Sequence, residues 1–348
     1  MREIDFRYII VRNGADSSEI YPIEGGEPNI RMDENGPIKV SLSGVFADPG
    51  DSVNWLTDEI RPEMIIDGEV HRLGVFIPTT VSSEENETTR SVQIEAYDRC
   101  WLVENNYTET SQYFAAGVNY MNAVEQLLTE CGISLIAMTP TEATLTEARE
   151  DWDIGTSYLT MVNQLLSEIN YSPLWFNNEG LAILEPASTP TADNIDHVLD
   201  ADDPESLVLP GVNKETDIYS APNVFIAVCS NADKAGPMVA RSENTNPQSP
   251  LSIARRGRRI ATVIRVDNIA SQEELEAYAE RVRNESMITG ETITIKTALL
   301  PGFGVGDVTA VKYADSVFAI CAERAWSMNL RVGGIMQHTL EKVVVNIG

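Results

Sequence analysis

The sequence predicts an α+β fold that is mainly β, and three features of the 348-residue chain support this prediction. Short runs of alternating apolar and polar residues, separated by turn dipeptides, fill residues 4–97 and are typical of antiparallel strands. Between about residues 105 and 190 the apolar residues follow the spacing of helices. Strand-like alternation returns after residue 221. We therefore expect two β-rich regions that flank a small helical module.

The first region, residues 1–104, is predicted to be a series of β-hairpins. Asn35-Gly36 and Asp67-Gly68 each separate two alternating runs, and both dipeptides readily adopt the positive φ angles that tight hairpin turns require. Residues 51–60 interrupt the pattern, and we predict a short helix there that Pro62 stops.

The middle region, residues 105–190, contains two amphipathic helix patterns and a hairpin. Residues 118–132 place their apolar side chains on one stripe and end in a glycine, a residue that favours helix termination. Residues 156–170 repeat the pattern behind Thr156 or Ser157, either of which is a favourable N-cap. Two apolar runs around Asn-Glu-Gly then predict the hairpin.

The last region, residues 191–348, combines strand patterns with one long polar stretch and one helix. The stretch at 231–259 has the length of a functional loop or a projecting hairpin. Residues 271–287 are predicted to form the helix, because Ser271 and Glu274 have the spacing of a capping box. The residues that follow read as strands.

The chain is strongly acidic, with 25 Lys and Arg residues against 53 Asp and Glu residues and a net charge of −28. This charge argues against sequence-specific nucleic-acid binding, which depends on a basic surface that neutralises phosphates. It also disfavours docking on an anionic membrane. We predict no membrane anchor, since no apolar run approaches the roughly 18 to 20 residues of a membrane span. The four cysteines form no CxxC pair and are expected to be reduced core thiols.

The sequence shows no local signature of a metal site, a cofactor site or an activated nucleophile, and we predict that the protein is not an enzyme. The three histidines, His71, His197 and His338, have no histidine partner at helical spacing, and each is expected at a surface or a strand edge. A dinucleotide-binding loop is excluded at residues 302–306, because a strand pattern follows these glycines where such a loop requires a helix.

Two other function classes stay open. A cell-wall glycoside hydrolase would use paired carboxylates as acid and nucleophile, although 53 acidic residues produce such pairs by chance and a solvated acidic face explains them. A carbohydrate-binding or host-surface-binding module would use exposed aromatic residues, yet the five tryptophans mostly lie beside apolar strand or helix residues. The acidic pairs are Glu84 and Glu85, Asp151 and Asp153, and Asp202 and Asp203.

One basic cluster contrasts with the acidic background. Four of the 25 basic residues fall within five positions, at Arg255, Arg256, Arg258 and Arg259. Such a cluster favours a charge-assisted contact with an acidic neighbour, either a second copy of the chain or a partner protein. A solvated loop that improves solubility is the alternative.

Several segments together resemble the tail hub family, the baseplate hub proteins of contractile phage tails and related injection machines, also called late-control-D-like proteins. Residues 58–79 are similar to the family's Asp-Gly turn followed by a Leu-Gly strand. Residues 153–186 resemble the helix and hairpin of its middle domain, and 221–230, 246–259 and 271–286 follow in the family's order. The family-signature turns would be at Asp67, Gly68, Gly74, Gly306 and Asp307.

The resemblance implies two tail-tube-like antiparallel β-barrels that flank a small α/β module, with the three regions as domains. It further implies a homotrimer that forms a ring of pseudo-sixfold symmetry, joins the tail tube to the spike or tip, and supports tail assembly. The implied partners are tail tube or distal tail proteins, a spike or cell-wall-binding adaptor, and the tape-measure protein. The implied location is the virion, at the tail baseplate or tip, after assembly in the host cytoplasm. Genome or effectors would pass through the lumen. An acidic lumen would not bind DNA, because both carry negative charge.

Overall fold

The computed structural model describes residues 2–85, 90–150, 152–203, 206–216, 221–229, 238–266, 269, 271–286, 288–313 and 318–343. Strands predominate over helices, so the predicted α+β, mainly β class is confirmed. The first region contributes β1 (Ile4–Arg12), β2 (Ala15–Ile20), β3 (Asn29–Asp33), β4 (Val40–Ala47), β5 (Glu59–Ile66), β6 (Glu69–Arg72), β7 (Ile77–Glu85) and β8 (Arg90–Tyr97).

The middle region holds most of the helical structure. Its elements are α1 (Cys100–Glu104), α2 (Tyr120–Glu130), β9 (Ile136–Met138), α3 (Tyr158–Glu168), β10 (Trp175–Phe176) and β11 (Ala182–Leu184). Both predicted helices are present, and Ser157 caps α3 by accepting a hydrogen bond from the Thr160 backbone N–H. β10 and β11 pair as the predicted hairpin.

The last region returns to strands around a single long helix. Its elements are β12 (His197–Asp200), β13 (Val208–Thr216), β14 (Val224–Cys229), β15 (Met238–Glu243), α4 (Ile253–Arg256), β16 (Ala261–Val266), α5 (Gln272–Ser286), β17 (Ile288–Ala298), β18 (Val308–Lys312), β19 (Ala319–Asn329) and β20 (Ile335–Val343). The predicted capping box is present at α5, where the Ser271 hydroxyl accepts from the Glu274 backbone N–H at 3.1 Å.

Strands from the two ends of the chain form one ten-stranded sheet. Eight of them follow the order β13-β17-β20-β19-β3-β4-β8-β7, while β18 pairs with both β19 and β12. The junction is the antiparallel pair β19 and β3, in which Trp326 lies opposite Met32. Each chain end therefore contributes four consecutive strands of the eight-strand path.

The two faces of this sheet differ in polarity. One face is buried in a core that both chain ends supply, including Ile30, Leu42, Ile293, Met328 and Leu340. The other face carries a polar row across six strands, set by the pairing register. The row consists of Tyr97, Ser41, Arg31, Ser327, Gln337 and Lys296.

A four-stranded sheet, β2-β1-β5-β6, packs on the same core. Tyr8 of β1 meets Phe46 of β4 edge to face, with ring centroids 5.1 Å apart. Both side chains are nearly fully buried, so this aromatic pair joins the two sheets.

Two details of the first region differ from the prediction. The helix over 51–60 is wrong, because only Gly50–Ser52 forms a single 3₁₀ turn. The loop after it is held by Asp58, whose carboxylate accepts from the Asn54 backbone N–H at 2.8 Å and pairs with Arg12 at 2.6 Å. The hairpin between β3 and β4 exists, but six residues connect the strands, and neither Asn35 nor Gly36 has a positive φ.

Candidate interaction surface

Residues 221–268, here called the basic segment, are a positively charged part of an acidic chain. Seven arginines and lysines against three acids give it a net charge of +4, which leaves −32 for the other 300 residues. Its strands form a three-stranded sheet of their own, in the order β15-β14-β16. Helix α5 covers one face of this sheet, where Ala227, Ala240 and Leu275 form a small buried cluster with their neighbours.

The predicted arginine cluster begins in the short helix α4. Ser252 caps that helix by accepting from the Arg255 backbone N–H at 3.3 Å, and Gly257 ends it with a φ of 63°. Fully buried Asn223 holds the chain beyond it, since its side chain donates to the Arg258 carbonyl at 3.0 Å and accepts from the Ile260 N–H at 2.7 Å. The cluster therefore sits on a fixed backbone.

The four arginine side chains are used unequally. Arg256 donates to the Ala221 carbonyl and is half-buried, and Arg259 forms an ion pair with Glu243. Arg255 is exposed and donates to the Pro247 carbonyl at 3.0 Å, and Arg258 is also exposed. Arg255, Arg256 and Arg259 thus contact other parts of the segment, while Arg255, Arg258 and Arg259 lie on its surface.

The sheet face opposite α5 brings together residues that the sequence analysis did not single out. The pairing register aligns Ile226 with Arg241 and Val263, and Val228 with Val239 and Arg265. These six residues are called the open face below. The alternation in residues 238–243 and 261–266 is the signal that could have placed both arginines beside the valines.

The first signature turn is a tight hairpin. Asp67 and Gly68 form the predicted two-residue turn between β5 and β6, with φ angles of 50° and 88°. The Asp67 carboxylate also accepts from the Glu3 backbone N–H at 2.8 Å. Gly74 has a φ of 123°, and a Cβ there would lie 2.9 Å from the ring of Phe76. These residues shape the backbone between β5 and β7.

The second signature turn ends in a carboxylate that organises a loop. Gly306 has a φ of 78°, and Asp307 accepts from the Gly304 backbone N–H at 2.7 Å. The same carboxylate oxygen lies 2.8 Å from Nε2 of His197, whose ring stacks on Phe303 at a centroid distance of 3.8 Å. The contact between His197 and Asp307 therefore links β12 to the start of β18.

His338 is not at a surface or strand edge as predicted, because it is fully buried in β20. Its Nδ1 lies 3.2 Å from the carboxylate of fully buried Glu323, and its Nε2 lies 3.1 Å from the Thr297 hydroxyl. Burial raises the pKa of Glu323. Strand alternation could have found His338, since it is in phase with buried Met336 and Leu340.

Solved structures with this architecture include tail proteins. A tail protein from Neisseria meningitidis MC58 superposes with a TM-score of 0.65 and 12% identity, over 97% of this chain and 96% of that one. The 43 kDa tail protein of prophage MuSo2 from Shewanella oneidensis gives 0.66 and 10% identity, over 97% and 98%. Prophage tail protein gp18 from Listeria monocytogenes EGD-e gives 0.59 and 12% identity, over 96% and 94%.

The chain has the tail-protein fold. At the level of sequence, no family model and no curated protein matches it. The predicted resemblance to tail proteins is thus confirmed by the fold, which extends over nearly the whole of this chain and of the three tail proteins.

On this tail-protein fold the members of the proposed hydrolase pairs that the structure describes are all exposed. Asp151 lies outside the described residues, Asp153 is exposed, and Glu85 is an exposed partner of Arg90. Asp202 is also exposed and pairs with Lys312 at 3.1 Å.

A cleft beside the β3–β4 loop is lined by three carboxylates, those of Glu34, Glu185 and Glu341. Arg324, at a bulge in β19, lies between the pair Glu34 and Glu341, 2.6 Å from Glu34 and 2.7 Å from Glu341. The cationic side chain makes this pair a structural ion-pair network. It does not resemble the separated acid and nucleophile of a glycosidase.

Among the described residues, no group of three or more His, Cys, Asp and Glu side chains is placed to hold a metal ion. In the same part of the chain no helix is long and apolar enough to cross a membrane. The four cysteines are free thiols, and three of them are buried.

Proposed function

We propose that this protein is a non-enzymatic structural tail protein, three copies of which form a ring of pseudo-sixfold symmetry that joins the tail tube to the spike or tip. The observation that carries the proposal is the division of the eight-strand path into two sets of four. Strands β13, β17, β20 and β19 come from one end of the chain, and β3, β4, β8 and β7 from the other. Three copies with two such sets each supply six units, which matches a sixfold tube.

The two outer strands of the path favour closure into a ring. Within the described residues, β7 pairs only with β8, and β13 pairs only with β17. Each outer strand is nine residues long. Because neighbouring strands along the path are all antiparallel, β7 and β13 run in opposite directions. In a ring, β7 of one copy would pair antiparallel with β13 of the next, which removes two open sheet edges.

The polar row on the unburied face of the sheet suits the wall of a water-filled lumen. Serine, glutamine and charged side chains along six strands remain hydrated in such a channel, while the opposite face stays in the core. Three copies at −28 each carry −84, so the ring as a whole repels DNA that passes through it. The partners would be the tail tube or distal tail protein on one side, the spike or cell-wall-binding adaptor on the other, and the tape-measure protein inside.

The mass of the purified chain in solution tests this proposal, measured by light scattering after size exclusion. We expect three times 38.3 kDa, either for the chain alone or after the neighbouring tube and spike proteins are added. Negative-stain images of that species should show a ring with a central channel. A monomer in every mixture, or a closed two-fold dimer, would contradict the proposal.

A further inference from the structure

The open face has the composition of a contact surface and has no cover among the described residues. Its centre is apolar, with Ile226 and Val228 on the middle strand half-buried by their neighbours. Val239 and Val263 on the outer strands are 50% and 55% exposed. Aliphatic side chains on three adjacent strands form a contiguous patch, which in soluble proteins marks a site of association.

The rim of the open face carries a net positive charge. Arg241 and Arg265 lie on the face itself and are exposed, and Arg241 also forms an ion pair at 2.8 Å with Glu243, the next residue on the same side of β15. Exposed Arg255 and Arg258 belong to the same basic segment, whose net charge is +4. An occupant with an acidic rim would complement these charges and gain in both specificity and rate of association.

We propose that the open face is the surface on which a second copy of this chain docks. This inference rests on the proposed ring and names one of its contacts. The remaining 300 residues of every copy carry −32, so a neighbouring copy supplies the acidic surface that the face requires. DNA is a poorer occupant, because the whole chain repels a polyanion and the centre of the face is aliphatic.

The charge also determines the symmetry of the contact. Two open faces that met would bring Arg241 and Arg265 of both copies together, so a two-fold dimer through this face is disfavoured by charge repulsion. The face must contact a different surface of its neighbour. Such head-to-tail contacts generate rings when the rotation closes.

The position of the basic segment in the chain places it beside the proposed ring contact. The segment and α5 are inserted between β13 and β17, the outermost strands at one end of the eight-strand path. With β7 of the next copy antiparallel to β13, the start of β7 lies level with the end of β13, where the insertion begins. Residues 48–75, which precede β7, carry seven acids against two arginines.

The first test reverses the charge of the open face. The double variant Arg241→Glu and Arg265→Glu should weaken self-association by at least about tenfold and shift the ring toward monomer. The matched control Arg31→Glu and Arg331→Glu changes the net charge equally, at exposed arginines near the β19–β3 junction, and should retain the mass of the wild type. Both variants should melt within a few degrees of the wild type, because all four side chains are exposed and the ion pairs Arg241–Glu243 and Arg331–Glu27, which the variants remove, lie at the surface where such pairs contribute little.

The second test identifies the occupant directly. The variant Arg265→Lys keeps the charge and adds an amine to a chain with only six lysines. A carbodiimide should join this amine to a carboxylate of a different copy, which a mixture of ¹⁵N-labelled and unlabelled protein detects by mass spectrometry. We expect the linked peptide to come from residues 48–75.

The outcomes separate the two proposals. If the wild type is a trimer and the double variant Arg241→Glu and Arg265→Glu is a trimer as well, the docking surface is overturned and the ring proposal stands. Cross-links that form only within one copy have the same meaning. A wild type that is monomeric with every tail partner overturns the ring itself. Binding of double-stranded DNA that the wild type shows and the double variant loses would assign the open face to a polyanion and overturn the second copy as its occupant.

Discussion

The ten-stranded sheet and the three-stranded sheet β15-β14-β16 each bury one face, and they differ in what the other face presents. The large sheet shows Ser41, Arg31, Ser327 and Gln337 in a polar row. The small sheet shows valine and isoleucine with arginine at the rim. Covering hydrated polar side chains with another protein costs free energy, whereas covering exposed aliphatic side chains is favourable. The large sheet is thus suited to remain in contact with water and the small one to be covered.

The largest expected effect tests the buried side of the large sheet. Phe46→Ala removes a fully buried ring that packs on Tyr8, and it should lower the free energy of unfolding by about 4 kcal/mol. Leu56→Ala is the matched control, because its side chain is 94% exposed, and it should change stability by less than about 0.5 kcal/mol. Denaturant unfolding measures both. Equal effects would remove the role of Phe46 in joining the two sheets.

A smaller and more local effect is expected on the buried side of the small sheet. Leu275→Ala leaves a cavity under α5 and should cost about 3 kcal/mol. Because the cluster there is small and separate from the main core, this loss should appear as local opening. Amide hydrogen exchange should become faster in β14 and β15 and stay unchanged in β4 and β8. Faster exchange in all four strands would show that the two sheets unfold as one unit.

The third prediction compares how one carboxylate near each sheet changes the stability of the protein with pH. Burial raises the pKa of Asp98, at the end of β8, to about 6, although its carboxylate accepts backbone hydrogen bonds from Val40 and Cys100 at 2.8 and 2.9 Å. The folded state therefore holds this proton more tightly than the unfolded state, and its contribution to stability falls as pH rises from about 4 to 7. The decrease amounts to about 2 to 3 kcal/mol. Asp98→Asn should remove that decrease from the pH profile of unfolding.

The pKa of Glu243, in the small sheet, is shifted in the opposite direction to that of Asp98, and Glu243 serves as the comparison. A hydrogen bond from Arg259 lowers the pKa of Glu243, so its contribution is present at neutral pH and is lost as pH falls through the acid range. The effect of Glu243→Gln should be smaller, because the ion pair is partly exposed and screened. For each variant the measured quantity is the difference in unfolding free energy from the wild type as a function of pH. Differences that change in the same direction for both variants would contradict this assignment.

Local patterns predicted local structure well. Helices α2, α3 and α5 appeared where period and caps placed them, since an apolar stripe and an N-cap are properties of neighbouring residues. The Asp67-Gly68 turn also formed as expected. The failures came from distant partners: Asp58 is held by Arg12, 46 residues away, and this contact helps to hold an open loop where a helix was predicted.

The candidate surface was predictable only in part. Four basic residues within five positions stand out in a sequence, yet Arg255, Arg256 and Arg259 make contacts inside the basic segment. The exposed arginines of the open face come from β15 and β16, which never touch each other and meet only through β14. A pattern within one strand shows which residues share a face. It does not show which strands become neighbours.

The pairing of β3 with β19 has a consequence for synthesis of the protein. Asn29 bonds across to a strand that ends at Asn329, so the first strands have left the ribosome long before their partner exists. Until then the edge of β3 is exposed to other nascent chains, and contacts that span so much sequence form slowly. The large sheet is therefore completed only after β19 has been synthesised, and a chain truncated before β19 would retain an unpaired, aggregation-prone edge.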